Sequence, residues 1–424
     1  MDSSAITSHW GLTKKIAFRF VFIFFVLFIA IQNNGAFPFW YIIIKYPTEL
    51  LHTIIPWIGK HILHLPYDIT VFTNGSGDTT YDYVILITIL IISLLGTVLW
   101  SVLDKSRENY DKLYYWLTVV VRFYVGLMLI NYGFAKIIKF QFPDPAMHRL
   151  IQNYGDSSPM GLAWTFLGFS KGYNIFMGIA EIAAVFLLFR RTMTFGAIIT
   201  LMTTANIMAI NYFYDVPVKM VSTALVVMTL FLLLNDARHL FKFFFTGNAV
   251  SLPIIKAPEI RKKWIKTTKL GIKTVVIGYY LISGIVIYSN NQKKVPIPKL
   301  YGLYDVDTFI INNDTLPPLK TDLKRWDQFI IDKGSAARII YMNKRQIPFR
   351  SQIIDTGDPG TIELTSGDDS PMEYSFKYTI PDSNRLHLSG KLISGDSVKI
   401  YMTRRDFELI NRGFNWINER PYNR

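Results

Sequence analysis

Long apolar runs separated by short polar segments dominate the first 290 residues. Each run approaches the roughly 20 residues that an α-helix needs to cross a bilayer. The predicted spans lie near residues 16–33, 84–103, 115–136, 173–189, 193–213, 218–235 and 270–289. This pattern predicts a polytopic α-helical membrane protein with about seven transmembrane helices.

From about residue 295 the apolar pattern changes to period two, which is typical of half-buried strands. Residues 373–380 alternate strictly between apolar and polar side chains. Turn residues separate further short runs at 306–312, 326–332, 336–343, 347–354, 361–365, 385–392 and 396–403. We therefore predict a C-terminal antiparallel β domain, either a small up-and-down barrel or a sandwich. A barrel filled with side chains and a lipocalin-like cup are both compatible with the pattern.

These patterns divide the chain into five parts. We assign two transmembrane helices and the loop between them to residues 1–112, a four-helix membrane core to 113–240, a basic cytoplasmic loop to 241–269, a seventh helix to 270–290 and the β domain to 295–424.

The distribution of basic residues predicts the orientation. The chain carries a net charge of +14, and Lys and Arg cluster in alternate loops. Because basic flanks stay cytoplasmic, we expect the N-terminus in the cytoplasm, the β domain outside, and residence in the cytoplasmic (inner) membrane. The cation-rich loops indicate contact with the lipid bilayer, and nothing indicates a nucleic-acid partner.

Polar side chains inside the predicted spans are the candidate functional residues. A guanidinium in hydrocarbon is costly, so Arg122 needs a partner. Glu181 lies at the same depth on the next helix, about 13 Å from the cytoplasmic end, and we expect it to pair with Arg122. Such a pair either fixes helix register or forms a site for a proton, a quinone or a lipid headgroup. Asn206 and Asn211 are expected to hydrogen-bond between helices.

Four further candidates lie near the predicted outer face. Lys136 is expected to extend towards the headgroups, as lysines near a membrane boundary commonly do. Asp215 and Lys219 flank a proline and are expected to form a local ion pair, with ligand binding as the alternative. Asp156 lies in the loop between the first two core helices.

Residues 122–236 carry motifs of a known family. Arg122-x-x-x-Gly126 with Tyr132-Gly133-x-x-Lys136, followed by Gly178-x-x-Glu181, resembles the helix signatures of the DoxX-like membrane proteins. Gly155 to Gly161 and Asn211 to Lys219 resemble two loops of one branch of that family. The resemblance implies a four-helix membrane core and, from the founding member, an association with quinone-linked oxidoreductases.

The residue inventory argues against several redox chemistries. The chain has no cysteine, which excludes thiol exchange and iron–sulfur ligation by its own side chains. All seven histidines fall outside the predicted spans, so haem in the helix bundle is disfavoured. His61 and His64 are the candidates for a metal, but we expect interfacial histidines there and no metal site.

No catalytic motif is present, so the sequence leaves open whether the chain is an enzyme. We expect an accessory or scaffold subunit of a cell-envelope complex, with a membrane or periplasmic protein partner. One alternative is a quinone-interacting oxidoreductase subunit, which would need a partner to supply the electron carrier. The other is a transporter of small molecules or lipids whose β domain receives the cargo.

Overall fold

A computed structural model describes residues 9–71, 77–252, 254–255, 262–291, 297–355, 357, 359–367 and 372–423. The chain forms two compact units. The first comprises residues 1–144 and 158–291, and the second comprises residues 145–157 and 292–424. The first is helical, and the second is built on a β-sheet.

Helices make up the first unit. They are α1 (Leu12–Ile31), α2 (Trp40–His61), α3 (Thr80–Leu103), α4 (Asp111–Ile137), α6 (Pro159–Phe169), α7 (Lys171–Ile182), α8 (Met193–Phe213), α9 (Lys219–Leu234), α10 (Ala237–Thr246) and α11 (Lys263–Asn291). A 3-10 segment, Ala183–Leu188, continues α7. The short α5 (Met147–Leu150) and α12 (Glu408–Asn411) belong to the second unit.

The described residues confirm a helical membrane protein. By length and apolarity five helices can cross a bilayer, namely α3, α4, α7 with its 3-10 continuation, α8 and α11. A sixth span results if α9 and α10, bent by 79°, count as one. The structure thus gives five or six apolar spans where the sequence predicted about seven.

Helix α1 accounts for one of the missing spans, because its 20 residues include three cations, Lys14, Lys15 and Arg19. The other is α9, whose 16 residues reach the length of a span only together with α10. Arg19 of α1 is nevertheless buried. Its guanidinium donates to the Tyr110 hydroxyl at 2.9 Å and to the Asp104 carbonyl at 2.9 Å. These bonds satisfy the buried charge and attach α1 to the junction between α3 and α4.

The sheet of the second unit closes into a barrel. Its strands are β1 (Gly302–Ile311), β2 (Asp314–Thr315), β3 (Trp326–Ile331), β4 (Ala336–Tyr341), β5 (Gln346–Ile354), β6 (Gly360–Thr365), β7 (Glu373–Thr379), β8 (Arg385–Lys391) and β9 (Ser397–Arg404). Antiparallel neighbours follow one another from β3 to β9, and β1 pairs with both β3 and β9. The two-residue β2 only extends β1. The result is an eight-stranded up-and-down barrel, and each predicted strand is present.

Alternation along the strands fills the barrel interior with side chains. Every second residue of β7 is buried, as the pattern of period two predicted. Trp326 lies in the interior with its ring centroid 5.7 Å from those of Phe329 and Phe376. The inward-facing aliphatic and aromatic residues form one buried cluster. The filled barrel, and not the open cup, therefore describes this interior.

A segment from the middle of the chain packs on this barrel. Met147 of α5 is buried against Leu303, Ile330 and Ile340, whose side chains point outward from the sheet. The Met147 backbone N–H donates to the Asp332 carboxylate at 3.2 Å. Residues 145–157, which the sequence assigned to the helical core, thus belong with the β domain.

Candidate functional site

Helices α4 and α7 approach closely at a pair of glycines. A Cβ atom added to Gly133 would lie 2.7 Å from the Gly178 carbonyl oxygen, and one added to Gly178 would lie 2.6 Å from the Gly133 oxygen. Such distances leave no room for any side chain at either position. The crossing brings polar residues one turn away on each helix, Lys136 and Glu181, to the same place.

Lys136 and Glu181 form a buried ion pair beside this crossing. Lys136 Nζ lies 2.6 Å from Glu181 Oε1 and donates also to Gln141 Oε1 at 2.9 Å. The side chains are 7% and 2% exposed, respectively. The ring centroid of Phe142 lies 5.5 Å from the ammonium and helps to enclose it. Glu181 Oε2 is buried and has no hydrogen-bond partner among the described atoms.

This geometry shows that the predicted Arg122–Glu181 pair is wrong, as is the predicted extension of Lys136 towards the headgroups. The reason is the register of the two antiparallel helices. Gly126 packs against Leu188, and Arg122 bonds the Leu188 carbonyl, so Arg122 does not lie at the depth of Glu181. Helical side chains tilt towards the N-terminus of their own helix, so Lys136 and Glu181 converge at the glycine crossing.

Arg122 has no carboxylate partner among the described residues. It is 4% exposed, and Nη2 donates to the Leu188 carbonyl over a long 3.4 Å. Nη1 contacts the Met193 sulfur at 4.0 Å, and Nε has no hydrogen-bond partner in the part of the chain that the structure describes. Lys273 of α11 donates to the same Leu188 oxygen at 2.9 Å. Two cations therefore share one carbonyl at the end of the 3-10 segment.

The remaining intramembrane candidates are dispersed. Asn206 lies on the exposed side of α8, and the structure does not bring it to the ion pair. Asn211 is buried and donates to the Val218 carbonyl at 3.4 Å, which links the end of α8 to the start of α9. Asn174, which the sequence did not indicate, is fully buried on the Glu181 face of α7 and donates to the Leu167 carbonyl at 2.6 Å.

The candidates at the predicted outer face fall into two groups. Lys219 Nζ lies 2.8 Å from Asp215 Oδ1, which confirms the predicted local ion pair. The Asp78 carboxylate accepts from the backbone N–H groups of Lys219 and Met220 at 2.7 and 3.0 Å, so it caps α9 from another part of the chain. Asp156 belongs to the second unit, where it accepts from the Asn153 amide at 3.0 Å.

The histidine pair shows no ligand geometry. His61 stacks on Trp57 with ring centroids 5.1 Å apart, and its Nδ1 lies 3.1 Å from the Trp57 carbonyl oxygen. His64 is exposed. Within the described ranges no group of three His, Cys, Asp or Glu side chains is close enough to hold a metal.

A polytopic helical core with a buried Lys–Glu pair, joined to a closed and filled β-barrel, defines the class of this protein. Over 126 residues the chain is 37% identical to the uncharacterized protein YwoB of Bacillus subtilis (strain 168), covering 79% of that protein and 29% of this chain. The chain belongs to the same family as YwoB. No family model matches the chain, and no solved structure matches it.

The sequence contains the spacing that predicts the Lys136–Glu181 ion pair. Gly133 and Lys136 are spaced as Gly178 and Glu181 are, three residues apart, and the same spacing on antiparallel helices with a glycine crossing directs both side chains to that crossing. In contrast, no signal identified Lys273 as a neighbour of Arg122, because α11 follows a long loop.

Proposed function

We propose that the chain is an accessory or scaffold subunit of a cell-envelope complex. A DoxX-like four-helix core holds it in the cytoplasmic membrane, with the N-terminus in the cytoplasm and the β-barrel outside. The clustering of Lys and Arg in alternate loops supports this orientation. The barrel is then a recognition module tethered at the membrane surface.

The segment after β9 supplies the observation that carries this proposal. Trp416 is 90% exposed, Ile417 78% and Phe414 77%. The aromatic side chains of the barrel interior are buried in one cluster, so three exposed apolar residues together are unusual on a water-facing domain. Arg412 and Arg420 flank them and are also exposed. Trp and Arg are the residues that contribute most to protein interfaces.

The filled barrel interior supports recognition over cargo transfer. A domain that received a lipid or a small molecule would need an interior cavity of several hundred Å³. Here Phe309, Phe329 and Phe376 occupy the interior and have no exposed surface. The binding surface of the domain is therefore external, and the partner we propose is a protein with an apolar groove bordered by acidic residues.

A paired substitution in the full chain tests the proposal. Phe414→Ala with Trp416→Ala should release a stoichiometric partner that co-purifies in mild detergent, because losing an aromatic anchor costs about 2 kcal/mol or more. Quantitative mass spectrometry and native gels measure the complex. The matched control is Ile393→Ala, which removes an apolar side chain that is 58% exposed on the turn between β8 and β9. Equal recovery of the partner with both variants, or no stoichiometric partner at all, contradicts the proposal.

One observation favours a second candidate, a quinone-interacting oxidoreductase subunit. Lys136 is a buried hydrogen-bond donor, and Glu181 Oε2 is a buried acceptor with no partner among the described atoms. A quinone needs a donor at its carbonyl oxygen, and its hydroquinone needs an acceptor. Organic extraction of the purified protein tests this reading. Quinone should be recovered from the unaltered chain and lost from Lys136→Met, while Lys139→Met should retain it.

A further inference from the structure

A group of cations lies at the end of the helical unit that is opposite the Lys136–Glu181 pair. Lys269 and Lys273 are one turn apart on α11, and Arg122 lies on the neighbouring α4. Arg122 and Lys273 donate to the same Leu188 carbonyl, and Arg190 follows Leu188 by two residues. We call these four residues the cation cluster. No carboxylate in the described part of the chain forms a salt bridge with any of them.

The bonds that the cluster makes are too few for its charge. Lys269 donates to the Tyr115 hydroxyl at 2.7 Å, and Arg190 reaches the Ile255 carbonyl only at 3.5 Å. Arg122 and Lys273 share the Leu188 carbonyl, and no described atom bonds Arg122 Nε although the residue is 4% exposed. A guanidinium has five donors, and leaving them unpaired in a buried site is costly. Among the described residues the cluster therefore has more hydrogen-bond donors than acceptors.

The cation cluster is accessible from one surface of the membrane. Helices α4 and α11 both begin on the side that we propose is cytoplasmic. Their side chains lean towards their N-termini, so Arg122, Lys269 and Lys273 all extend towards the same membrane face. Lys269 and Lys273 are half-buried, whereas Arg190 is exposed, so the cluster extends from the interior to the surface.

We propose that the cation cluster binds a phosphate group, supplied by the headgroup of an anionic phospholipid. A phosphate diester offers oxygens to a guanidinium and two ammonium groups at once. Aromatic rings beside the cluster suit the acyl boundary. The Lys273 ammonium lies 4.2 Å from the Phe189 ring centroid, and the Lys269 ammonium lies 5.2 Å from that of Trp116. A free oxyanion is the other source of the same chemistry.

Lipid titration of the full-length protein tests this inference. After delipidation in detergent, native mass spectrometry compares phosphatidylglycerol with phosphatidylcholine of identical chains. One phosphatidylglycerol should bind in preference. Lys269→Gln with Lys273→Gln should weaken it by about thirtyfold, since each cation near an anionic lipid contributes about 1 kcal/mol. Circular dichroism and gel filtration check that the variant is folded, and Arg122 stays in place because its loss would disturb the core.

A charge-matched control separates the cluster from general attraction. Lys263→Gln with Lys266→Gln removes the same charge from the exposed start of α11 and should leave binding unchanged. Equal loss in both double variants, or equal binding of the two lipids, overturns the proposal. A third arm adds inorganic phosphate. If millimolar phosphate displaces the lipid from the unaltered chain, the site is one for a free oxyanion and the lipid assignment fails.

Discussion

Breaking the Lys136–Glu181 pair should destabilise the helical unit by a predictable amount. The two side chains are 7% and 2% exposed, and their charged atoms lie 2.6 Å apart. Because both are buried, water cannot solvate either charge when its partner is removed. Removing one member of a buried pair typically costs about 3 to 5 kcal/mol, because the other charge is left uncompensated. We expect Lys136→Met and Glu181→Gln each to lower the free energy of unfolding by about that amount.

The double variant distinguishes contact from coincidence. If the two side chains interact as described, Lys136→Met with Glu181→Gln should recover much of the loss, with a coupling energy of about 1 to 3 kcal/mol. Reversible unfolding by denaturing detergent in bicelles, followed by tryptophan fluorescence, measures all four proteins. Additive losses from the two single variants would refute the pairing.

A second cycle provides the matched control on the same helix pair. Arg122→Met combined with Glu181→Gln tests the partner that the sequence indicated and the structure does not. Since Arg122 contacts the Leu188 carbonyl and the Met193 sulfur, its loss should add independently to that of Glu181. Coupling in this second cycle would mean that the register of α4 and α7 differs from the one described.

Four further outcomes are expected. Gly178→Ala should lower the free energy of unfolding by about 1 to 3 kcal/mol in the same assay, because the added Cβ would lie 2.6 Å from the Gly133 carbonyl oxygen. In the control Gly172→Ala on the same helix, the added Cβ has Ser170 Oγ at 3.9 Å as its nearest neighbour, so the stability should barely change. Alkaline phosphatase fused after the barrel should be active, and activity only when fused to the loop after α10 would reverse the proposed orientation. The separately expressed domain of residues 295–424 should melt cooperatively and give a β-type circular dichroism spectrum. Adding a peptide of residues 145–157, which covers Leu303, Ile330 and Ile340, should raise its melting temperature. An unchanged melting temperature would contradict that packing. Burial, with Arg338 and Arg149 nearby, lowers the pKa of His148. Packing of α5 on the barrel should therefore be complete above about pH 6.5 and weaken as the pH falls through the lowered pKa. Hydrogen exchange at the Met147 amide measures this packing, and His148→Gln should remove its pH dependence.

The sequence predicted most of the fold because strong periodic signals carry it. Seven of the eight predicted strands begin within one residue of the observed start, and the other, β1, begins four residues earlier than the alternation indicated. Barrel closure could not be predicted, because the β1–β9 pairing joins the two ends of the domain. The attachment of residues 145–157 to the barrel was missed for the same reason, since Met147 and Asp332 are far apart in sequence.

The site was harder to predict because residue counts from predicted helix ends do not give the register of two helices. That count placed Arg122 level with Glu181, whereas Arg122 bonds the Leu188 carbonyl, seven residues further along the chain. Lys136 was assigned to the boundary because lysines there commonly reach the headgroups. The glycine crossing overrides that tendency, since it allows backbones close enough for a 2.6 Å ion pair to form inside the bundle.

Helix α4 therefore carries two buried cations, Arg122 near its middle and Lys136 in its last turn, and their surroundings differ. Lys136 has a carboxylate within the chain, so its charge is compensated as soon as α4 and α7 pack. Among the described residues Arg122 contacts a shared carbonyl and a sulfur, and we propose that an anionic lipid compensates its charge. The Lys136 charge therefore stabilises the packing of α4 on α7, and the Arg122 charge makes the helical unit depend on the surrounding lipid. Substitutions at Lys136 should thus act on folding in any lipid, whereas substitutions at Lys269 and Lys273 should act only where anionic lipid is present.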